Sequence, residues 1–521
     1  MIKTRRLLLG FIALALAGCF TAHAQPRLSN AFGDHMVLQR GDRTVVWGQS
    51  APGTTIQASI AGVSSTATAD TTGKFRVVLG GLKAGGPHTL VVSDATGKVE
   101  YQDVLIGDVY IASGQSNMQV QMQRMVDADK QVADSTHPRI RLLPVKFATS
   151  VLEPKTDIGN TWVLCGPEST PRFSAVAYYF ARELQTVVKE DGQPVPIGMI
   201  QSVWGGTPAE AWTPRPALES HPMFAQRVKD ADAAILNYPQ ARPQWQEQVK
   251  KWEEGGKKGE RPVEPLNEKS ANVPGTLFNA MIAPLTDMGL TGVIWYQGEA
   301  NARRAEAYAT LFPLMINQWR EKFGRSEPGN ELPFIWVQLA NFQRPTPEPS
   351  EHAWAELRES QTKTLALPKT GQALAIDIGE AGDIHPRNKL DVGKRLAKVA
   401  MKMIYGADVA HSGPMYRQMA VDGAKVRLSF DFADGLTSRG AKPSGFAIAG
   451  GDRKWVWAEA VIDGGDVIVW SDAVKQPVAV RYGWSVNPFD GAYPANLYNA
   501  AGLPACPFRT DDWPGLTTGI R

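Results

Sequence analysis

The chain has 521 residues, of which 43% are hydrophobic and 21% charged, and its formal net charge is +3. This composition is typical of a globular protein of several domains and excludes a disordered or membrane-embedded chain. Removing the first 24 residues, with three basic and no acidic side chains, leaves 52 basic (55 minus 3) against 52 acidic residues. Because a neutral chain lacks the basic excess of nucleic-acid-binding proteins, we expect no nucleic-acid partner.

Residues 1–24 are predicted to be a signal peptide. Three basic residues precede an apolar run over residues 7–17, which is too short to span a bilayer stably, and Ala22-His23-Ala24 is a small-x-small cleavage site. Residues 16–19 (Leu-Ala-Gly-Cys) also match the pattern at which bacterial lipoproteins are cleaved and acylated, so a lipid anchor at Cys19 is the alternative. Both routes predict an exported bacterial protein, periplasmic or secreted, without a membrane span.

Three predicted domains follow the signal. Residues 25–103 form short alternating strands separated by turn residues such as Pro52-Gly53, which predicts an N-terminal β-sandwich. Residues 104–406 alternate apolar strands with amphipathic helices, which predicts an α/β domain with a parallel sheet and helices on both faces. In residues 407–521 the strand pattern returns, which predicts a second small β-domain.

The α/β domain contains five predicted strands and four predicted helices. The strands are Val104–Ala112, Ile197–Val203, Gly292–Tyr296, Phe334–Leu339 and Ala373–Ile378, and the helices are Ser174–Val188, Thr276–Thr286, Glu306–Phe323 and Lys389–Ile404. Residues 215–273 interrupt this alternation, because they are polar, charged and punctuated by proline. We expect a helical surface insertion there, with a lid over the site as the alternative.

A serine follows the first of these strands in a turn. The apolar run ends at Ser113-Gly114, Ser116 comes next, and a helix-compatible stretch covers residues 118–130. A serine on a sharp turn from strand to helix is held out at the edge of the sheet, which suits a nucleophile beside backbone N–H groups. A serine that only caps the helix is the alternative.

A serine nucleophile requires a base, and His385 is the one histidine that follows a predicted central strand. It lies in the segment Gly379-Glu380-Ala381-Gly382-Asp383-Ile384-His385-Pro386, where ligands of doubly wound sheets bind. A structural histidine near a helix start is the alternative interpretation.

Four blocks carry a resemblance to a known family. Gly-Gln-Ser-Asn-Met at residues 114–118 resembles block I of the SGNH (GDSL-like) hydrolases, in the form seen in sialate O-acetylesterases and related carbohydrate acetylesterases. Residues 204–212 (Trp-Gly-Gly-Thr-Pro-Ala-Glu-Ala-Trp), 295–299 (Trp-Tyr-Gln-Gly-Glu) and the segment around His385 resemble the later blocks, in the same order. The resemblance covers the chain after the signal, and it implies an SGNH-type, flavodoxin-like three-layer sheet flanked by β-sandwich domains.

The resemblance also implies roles for individual residues. Ser116 would be the nucleophile, His385 the general base and Asp383 the orienting acid. The backbone N–H groups of Ser116 and of the Gly205-Gly206 turn, together with the side-chain amide of Gln297, would form the oxyanion hole.

One position departs from the family pattern. SGNH enzymes usually carry Asp-x-x-His, whereas Gly382 stands three residues before His385 and Asp383 only two. Asp377, Glu380 or a Ser–His dyad supported by a backbone carbonyl therefore stay open as alternatives. If Asp383 is the acid, we expect its carboxylate within about 3.5 Å of an imidazole nitrogen.

Several side chains within these blocks are candidate substrate contacts. They are Gln115, Asn117, Trp204, Trp212, Trp295 and Glu299. Core packing is the alternative for the tryptophans, and bracing of its loop is the alternative for Glu299.

The sequence predicts no metal site and no cofactor, because none of the usual fingerprints stands in a fitting context. Cys165 and Cys506 are expected to be isolated buried thiols. The resemblance implies a serine esterase that removes O-acetyl groups from carbohydrate, with sialate esters as the first candidate substrate. Acetylated plant polysaccharide such as xylan or xyloglucan is the alternative substrate, and an inert exported glycan-binding protein is the non-enzymatic alternative.

Overall fold

The computed structural model of the protein describes residues 25–440 and 442–521. The predicted signal over residues 1–24, with Cys19, lies outside the described residues. A mixed α/β architecture is observed, as predicted, and its centre is a parallel sheet of six strands. These are β1 (Gly97–Gly114), β2 (Ile140–Pro144), β3 (Ile197–Val203), β4 (Gly292–Tyr296), β5 (Phe334–Val337) and β6 (Thr370–Ala373).

The strands lie in the order β2-β3-β1-β4-β5-β6, and each pairs in parallel with its neighbours. Without the added edge strand β2, the remaining five have the second-first-third-fourth-fifth order of flavodoxin-like sheets. The strand order reverses at β1: β2 and β3 are added on one side of β1, and β4, β5 and β6 on the other. The carboxyl end of β1 is therefore the point where such sheets bind ligands.

In the described part of the chain, eight α-helices surround the sheet or extend from it. These are α1 (Ser116–Gln119), α2 (Ala128–Ala133), α3 (Ala175–Val187), α4 (Arg215–Ser220), α5 (Ala225–Glu254), α6 (Ala305–Lys322), α7 (Ala353–Lys363) and α8 (Lys389–Met403). Helices α3 and α8 pack together on one face, and α6 and α7 pack together on the other. The long helix α5 belongs to the insertion over residues 215–273.

The two faces of β1 enter two separate cores. Val109 and Ile111 pack in the core that contains α6, whereas Tyr110 and Ala112 pack in the core that contains α3 and α8. Successive side chains of a strand point to opposite faces, so a strand covered on both sides is apolar at every position.

Three predicted elements differ in the structure. The predicted helix Thr276–Thr286 is a π-helix at Phe278–Ile282 followed by a 3-10 turn at Ala283–Leu285. The predicted helix over residues 118–130 is broken into α1, a 3-10 turn at Met122–Arg124 and α2, because Gln121 forms a β-bridge with Ser174 and takes the backbone out of the helix. The last strand, predicted as Ala373–Ile378, is β6 at Thr370–Ala373. Leu374 and Ile376 are buried against Cys506 instead of pairing in the sheet.

Residues 25–96 form strands that continue into β1. The first half of β1 pairs with Gly85–Asp94 and Val37–Gln39, and its second half lies in the central sheet. The other N-terminal strands are Arg27–Leu28, Thr44–Gln49, Thr55–Ile60, Val63–Thr68 and Lys74–Leu79. The predicted domain boundary at residue 103 therefore falls inside a single strand.

Residues 415–509 carry a third group of antiparallel strands around their own apolar core. The strands are Met415–Asp422, Lys425–Asp431, Thr437–Ser438, Phe446–Gly450, Trp455–Trp457, Glu459–Asp463, Asp466–Trp470, Pro477–Tyr482, Leu497–Tyr498 and Phe508–Arg509. Cys165 and Cys506 are buried, and neither forms a disulfide bond within residues 25–440 and 442–521. No helix in the described ranges is long and apolar enough to cross a membrane.

Candidate active site

Ser116 is the first residue of α1, directly beyond the carboxyl end of β1. The turn requires glycine at position 114, which has a φ of 131° and where an added Cβ would lie 2.2 Å from the carbonyl oxygen of Tyr296. A second glycine leaves room beside the serine, because a Cβ added at Gly205 would lie 3.3 Å from the Cβ of Ser116. The Gly205-Gly206 turn and Ser116 are therefore neighbours, as a shared oxyanion hole would require.

The predicted oxyanion donors differ in their availability. The Gly205 N–H donates to Oε1 of Gln119 at 2.7 Å, so it is already engaged. Within the described part of the chain, the N–H groups of Ser116 and Gly206 have no acceptor. These two donors are free to meet a developing oxyanion.

Gln297 is fully buried and its amide is saturated by protein groups. Its Nε2 donates to Oδ1 of Asn301 at 2.8 Å and to the carbonyl oxygen of Thr207 at 3.3 Å, and its Oε1 accepts from the hydroxyl of Tyr308 at 3.1 Å. As placed, Gln297 braces two loops and has no N–H to offer a substrate, which differs from its predicted role. An oxyanion role would require this amide to leave one of its partners.

The loop after β3, residues 204–212, is fixed by buried polar contacts. Glu210 is 2% exposed and accepts from Asn301 at 2.8 Å and from Arg304 at 2.9 Å, and Arg227 of the insertion approaches it to 3.1 Å. The indole N–H of Trp212 donates to the hydroxyl of Thr207 at 2.9 Å. This loop is thus held from several distant parts of the chain.

Two of the three predicted tryptophan contacts are wrong. Trp212 and Trp295 have no exposed surface and pack edge-to-face with ring centroids 6.0 Å apart, so they belong to the core. Trp204 is half-buried, and its ring lies 4.9 Å from that of Phe147, which is 51% exposed in the loop after β2. Phe147 was not a sequence candidate, although a phenylalanine just after an edge strand at the ligand-binding end of the sheet is a usable signal.

His385 is half-buried in the loop that leads to α8. Oδ1 of Asp383 accepts the backbone N–H of His385 at 2.8 Å and lies 3.6 Å from its ring Nδ1. The distance to the ring nitrogen exceeds the limit of about 3.5 Å that we expected, so Asp383 does not form a hydrogen bond with the ring. Burial lowers the pKa of His385, the nearby cations Lys389 and Arg124 lower it further, and Asp383 opposes them. The neutral imidazole that this favours is the form a general base requires.

The alternative acids have other partners. Asp377 is bound by Arg395 through two hydrogen bonds of 2.5 and 2.9 Å, and Glu380 accepts the backbone N–H of Arg387 at 2.7 Å. Among the described residues, Asp383 supplies the one carboxylate within 4.0 Å of a ring nitrogen of His385. Asp383 is therefore the carboxylate best placed to act on His385.

Asn117 connects the serine turn with the histidine loop. Its Nδ2 donates to Oε1 of Glu299 at 2.5 Å and to the carbonyl oxygen of Ile384 at 2.9 Å. Its Oδ1 accepts from Nζ of Lys389 at 2.5 Å. Asn117 is buried and has no polar atom left for a substrate, which corrects its predicted role.

Gln115 and Glu299 also serve the protein interior. Gln115 is 3% exposed, and its Oε1 accepts the backbone N–H of Ala300 at 3.2 Å. Burial raises the pKa of Glu299, whose Oε1 binds Asn117. Both side chains brace loops beneath the site instead of reaching a substrate.

Sequence reasoning missed Lys389, which is fully buried. A signal was present: Lys389 shares the apolar stripe of α8 with Val392, Gly393, Leu396 and Ala397. A lysine on such a stripe requires an internal partner.

Among the described residues, no cluster of three or more His, Cys, Asp or Glu side chains is arranged to hold a metal ion.

Comparison with known proteins gives consistent results. Residues 247–402 match the sequence model of a carbohydrate esterase family, the sialic acid-specific acetylesterases. Sialate O-acetylesterases of Mus musculus and Homo sapiens are each 28% identical to the chain, covering 92% and 95% of it and 94% and 95% of their own lengths. The crystal structure of a carbohydrate acetylesterase from Xanthomonas citri is 40% identical, with a TM-score of 0.78, over 94% of this chain and 100% of that one.

Proposed function

Since the chain belongs to the carbohydrate acetylesterases, a family of carboxylic ester hydrolases that includes the sialate O-acetylesterases, we propose that it releases acetate through an acyl-enzyme on Ser116. His385 takes the proton of the Ser116 hydroxyl as Oγ attacks the acetyl carbon. The imidazolium then gives this proton to the departing sugar oxygen. A water molecule activated by His385 hydrolyses the acetyl-serine and releases acetate.

The observation that carries the proposal is the hydrogen bond from Asn117 to the carbonyl oxygen of Ile384 at 2.9 Å. Asn117 directly follows Ser116, and Ile384 directly precedes His385. This partly buried contact thus joins two residues 267 positions apart in the sequence, one beside the nucleophile and one beside the base. A serine that only capped α1 would not require this connection.

The N–H groups of Ser116 and Gly206 are the proposed oxyanion donors. Each is free of protein acceptors in the described residues, whereas the Gly205 N–H and the Gln297 amide are engaged. Loss of one such donor typically lowers kcat by about 100- to 1,000-fold. Asp383 is the proposed orienting acid, because it both holds the backbone of His385 and approaches its ring.

O-acetylated sialic acid is the proposed substrate class. The curated relatives that span more than nine-tenths of the chain are named sialate O-acetylesterases. The half-buried Trp204 with the exposed Phe147 offers an apolar surface beside Gly205 on which a sugar ring can pack. Export by the signal over residues 1–24, with or without acylation of Cys19, fits a substrate that lies outside the cytoplasm.

The first experiment removes the nucleophile. Ser116→Ala should abolish acetate release from 4-nitrophenyl acetate and from O-acetylated sialic acid, and His385→Ala should do nearly the same. Ser113→Ala is the matched control, because Ser113 lies three residues away and its buried Oγ has no hydrogen-bond partner among the described residues. Activity of Ser116→Ala above that of His385→Ala would refute the nucleophile. Faster release from acetylated xylan than from O-acetylated sialic acid would refute the substrate.

A further inference from the structure

A lysine lies beneath the proposed site and has no part in the chemistry described above. Lys389 is the first residue of α8, has no exposed surface, and donates through Nζ to Oδ1 of Asn117 at 2.5 Å. Its Nζ also lies 5.2 Å from the centre of the Tyr296 ring. A buried ammonium is costly unless it is held by hydrogen bonds or charges, so its retention calls for a function or a partner.

The partner lies on the other side of the same amide. The Nδ2 group of Asn117 donates to the carboxylate of Glu299 at 2.5 Å, whereas the Oδ1 atom faces Lys389. Because an ammonium only donates and a carboxylate only accepts, these two charges determine which end of the amide faces each of them. The remaining hydrogen of Nδ2 then points to the carbonyl oxygen of Ile384.

We propose that Lys389 is a positioning residue of this esterase, which orients Asn117 so that the Ser116 turn is fixed against the His385 loop. The inference rests on the proposed roles of Ser116 and His385. Lys389 contacts neither substrate nor reacting atoms in this scheme. It acts through one amide, which its charge orients.

The charge of Lys389 also affects the pKa of His385. His385 is influenced by Lys389 and Arg124, which lower its pKa, and by Asp383, which raises it. Burial lowers the pKa of Lys389 itself to about 7, against the opposing effect of Glu299, Asp383 and Glu380. Lys389 is therefore protonated over the acidic range in which His385 titrates, and removing it should let His385 take up a proton at a higher pH.

The test is Lys389→Met, which keeps a long apolar side chain but has no donor and no charge. With 4-nitrophenyl acetate we expect kcat to fall at least about 10-fold at pH 6.5, below the pKa of about 7 at which Lys389 loses its charge, with KM changed less than about 2-fold, since ground-state binding is untouched. The acidic limb of kcat/KM should move to higher pH. Lys402→Met is the matched control, because Lys402 is an exposed lysine in the last turn of the same helix, and it should leave kcat and the limb unchanged.

Circular dichroism and thermal unfolding establish whether each variant is folded. If Lys389→Met alone does not fold, the double variant Lys389→Met with Glu299→Gln removes both charges together and should show the same shift of the acidic limb. A folded variant with the wild-type kcat, or with an unshifted acidic limb, overturns the proposal. Failure of the proposed function would instead appear as acetate release by Ser116→Ala, whatever Lys389→Met does.

Discussion

The loops on the two sides of the proposed site differ in how deeply their charged side chains are buried. The loop over residues 204–212 is fixed by buried side chains from distant segments, with the Glu210 side chain 3% exposed among Asn301, Arg304 and Arg227. The loop over residues 379–388 receives amide contacts from Asn117 and Asn341, but its charged side chains lie near the solvent, with the Asp383 side chain 48% exposed. We therefore expect changes in the first loop to lower stability and changes in the second loop to alter the protonation of His385.

The largest effect should come from breaking the braced side. Glu210→Ala leaves Arg304 and Arg227 without their carboxylate, so the free energy of unfolding should fall by about 3 kcal/mol, as measured by urea denaturation. Glu219→Ala is the control, because the Glu219 side chain is 48% exposed in its pair with Arg215 and should contribute less than about 1 kcal/mol. Equal losses in the two variants would contradict the comparison.

On the histidine side, a change should affect activity and not stability. Asp383→Asn should lower kcat about 100-fold, equivalent to about 2.7 kcal/mol, because an amide favours the wrong imidazole tautomer. The buried acid of serine proteases contributes about 10,000-fold, and we expect less here because Asp383 is exposed and lies 3.6 Å from Nδ1. Steady-state kinetics and urea denaturation measure the two quantities.

Glu380→Gln is the matched control for that variant, because Glu380 lies in the same loop and binds the Arg387 backbone instead of the ring. It should lower kcat less than about 10-fold. A similarly small loss for Asp383→Asn would transfer the orienting role to a backbone carbonyl.

A smaller effect should come from Phe147→Ala, because Phe147 packs on Trp204 at the start of the loop over residues 204–212. Loss of an aromatic surface of this kind is equivalent to about 1.4 kcal/mol, so KM for O-acetylated sialic acid should rise about 10-fold. Hydrolysis of ethyl acetate, which has no sugar ring, should be unchanged. Phe432→Ala, at a phenylalanine 47% exposed in the C-terminal region, is the control. An unchanged KM would remove Phe147 from the substrate site.

The smallest effect concerns pH. The pKa of His385 is lowered from 6.5, chiefly by burial, so the neutral base persists to lower pH than in a free histidine. As the pH decreases through a value below 6.5, where His385 becomes protonated, kcat/KM should fall, and it should not fall between pH 8 and 7. An acidic limb centred above 6.5 in the wild type would contradict the burial effect at this loop.

The bounds of a strand were predicted best where helices cover both of its faces. The strands Ile197–Val203 and Gly292–Tyr296 have the predicted bounds, since both lie between two helix layers and are mainly apolar, with Gln201 and Ser202 as the exceptions. The strand expected at Ala373–Ile378 is shorter because Leu374 and Ile376 are buried by the C-terminal region, and burial alone does not reveal what covers a side chain. The helix expected over residues 118–130 failed because a bridge to Ser174 is a long-range contact.

The same distinction applies to the site. Ser116, His385 and the glycine turn follow from their places after strands, a rule that depends only on topology. The hydrogen bonds that engage the Gln297 amide, and the contact of Lys389 with the site, could not be predicted from the sequence. Packing sets the partners of both side chains: Asn117 is 272 residues from Lys389. The burial of Trp212 and Trp295 could likewise not be predicted, since a tryptophan beside a catalytic block can lie either in the core or on the surface.

The length of β1 has a consequence for protein engineering. Its 18 residues run without interruption from the N-terminal strands to the turn that carries Ser116. A truncated chain that begins at residue 104 would sever this strand and remove the partners Gly85–Asp94 and Val37–Gln39 along its first half. The N-terminal region is thus not a detachable module. Chimeras that exchange parts between related esterases should transfer it together with the catalytic sheet, as one inherited unit.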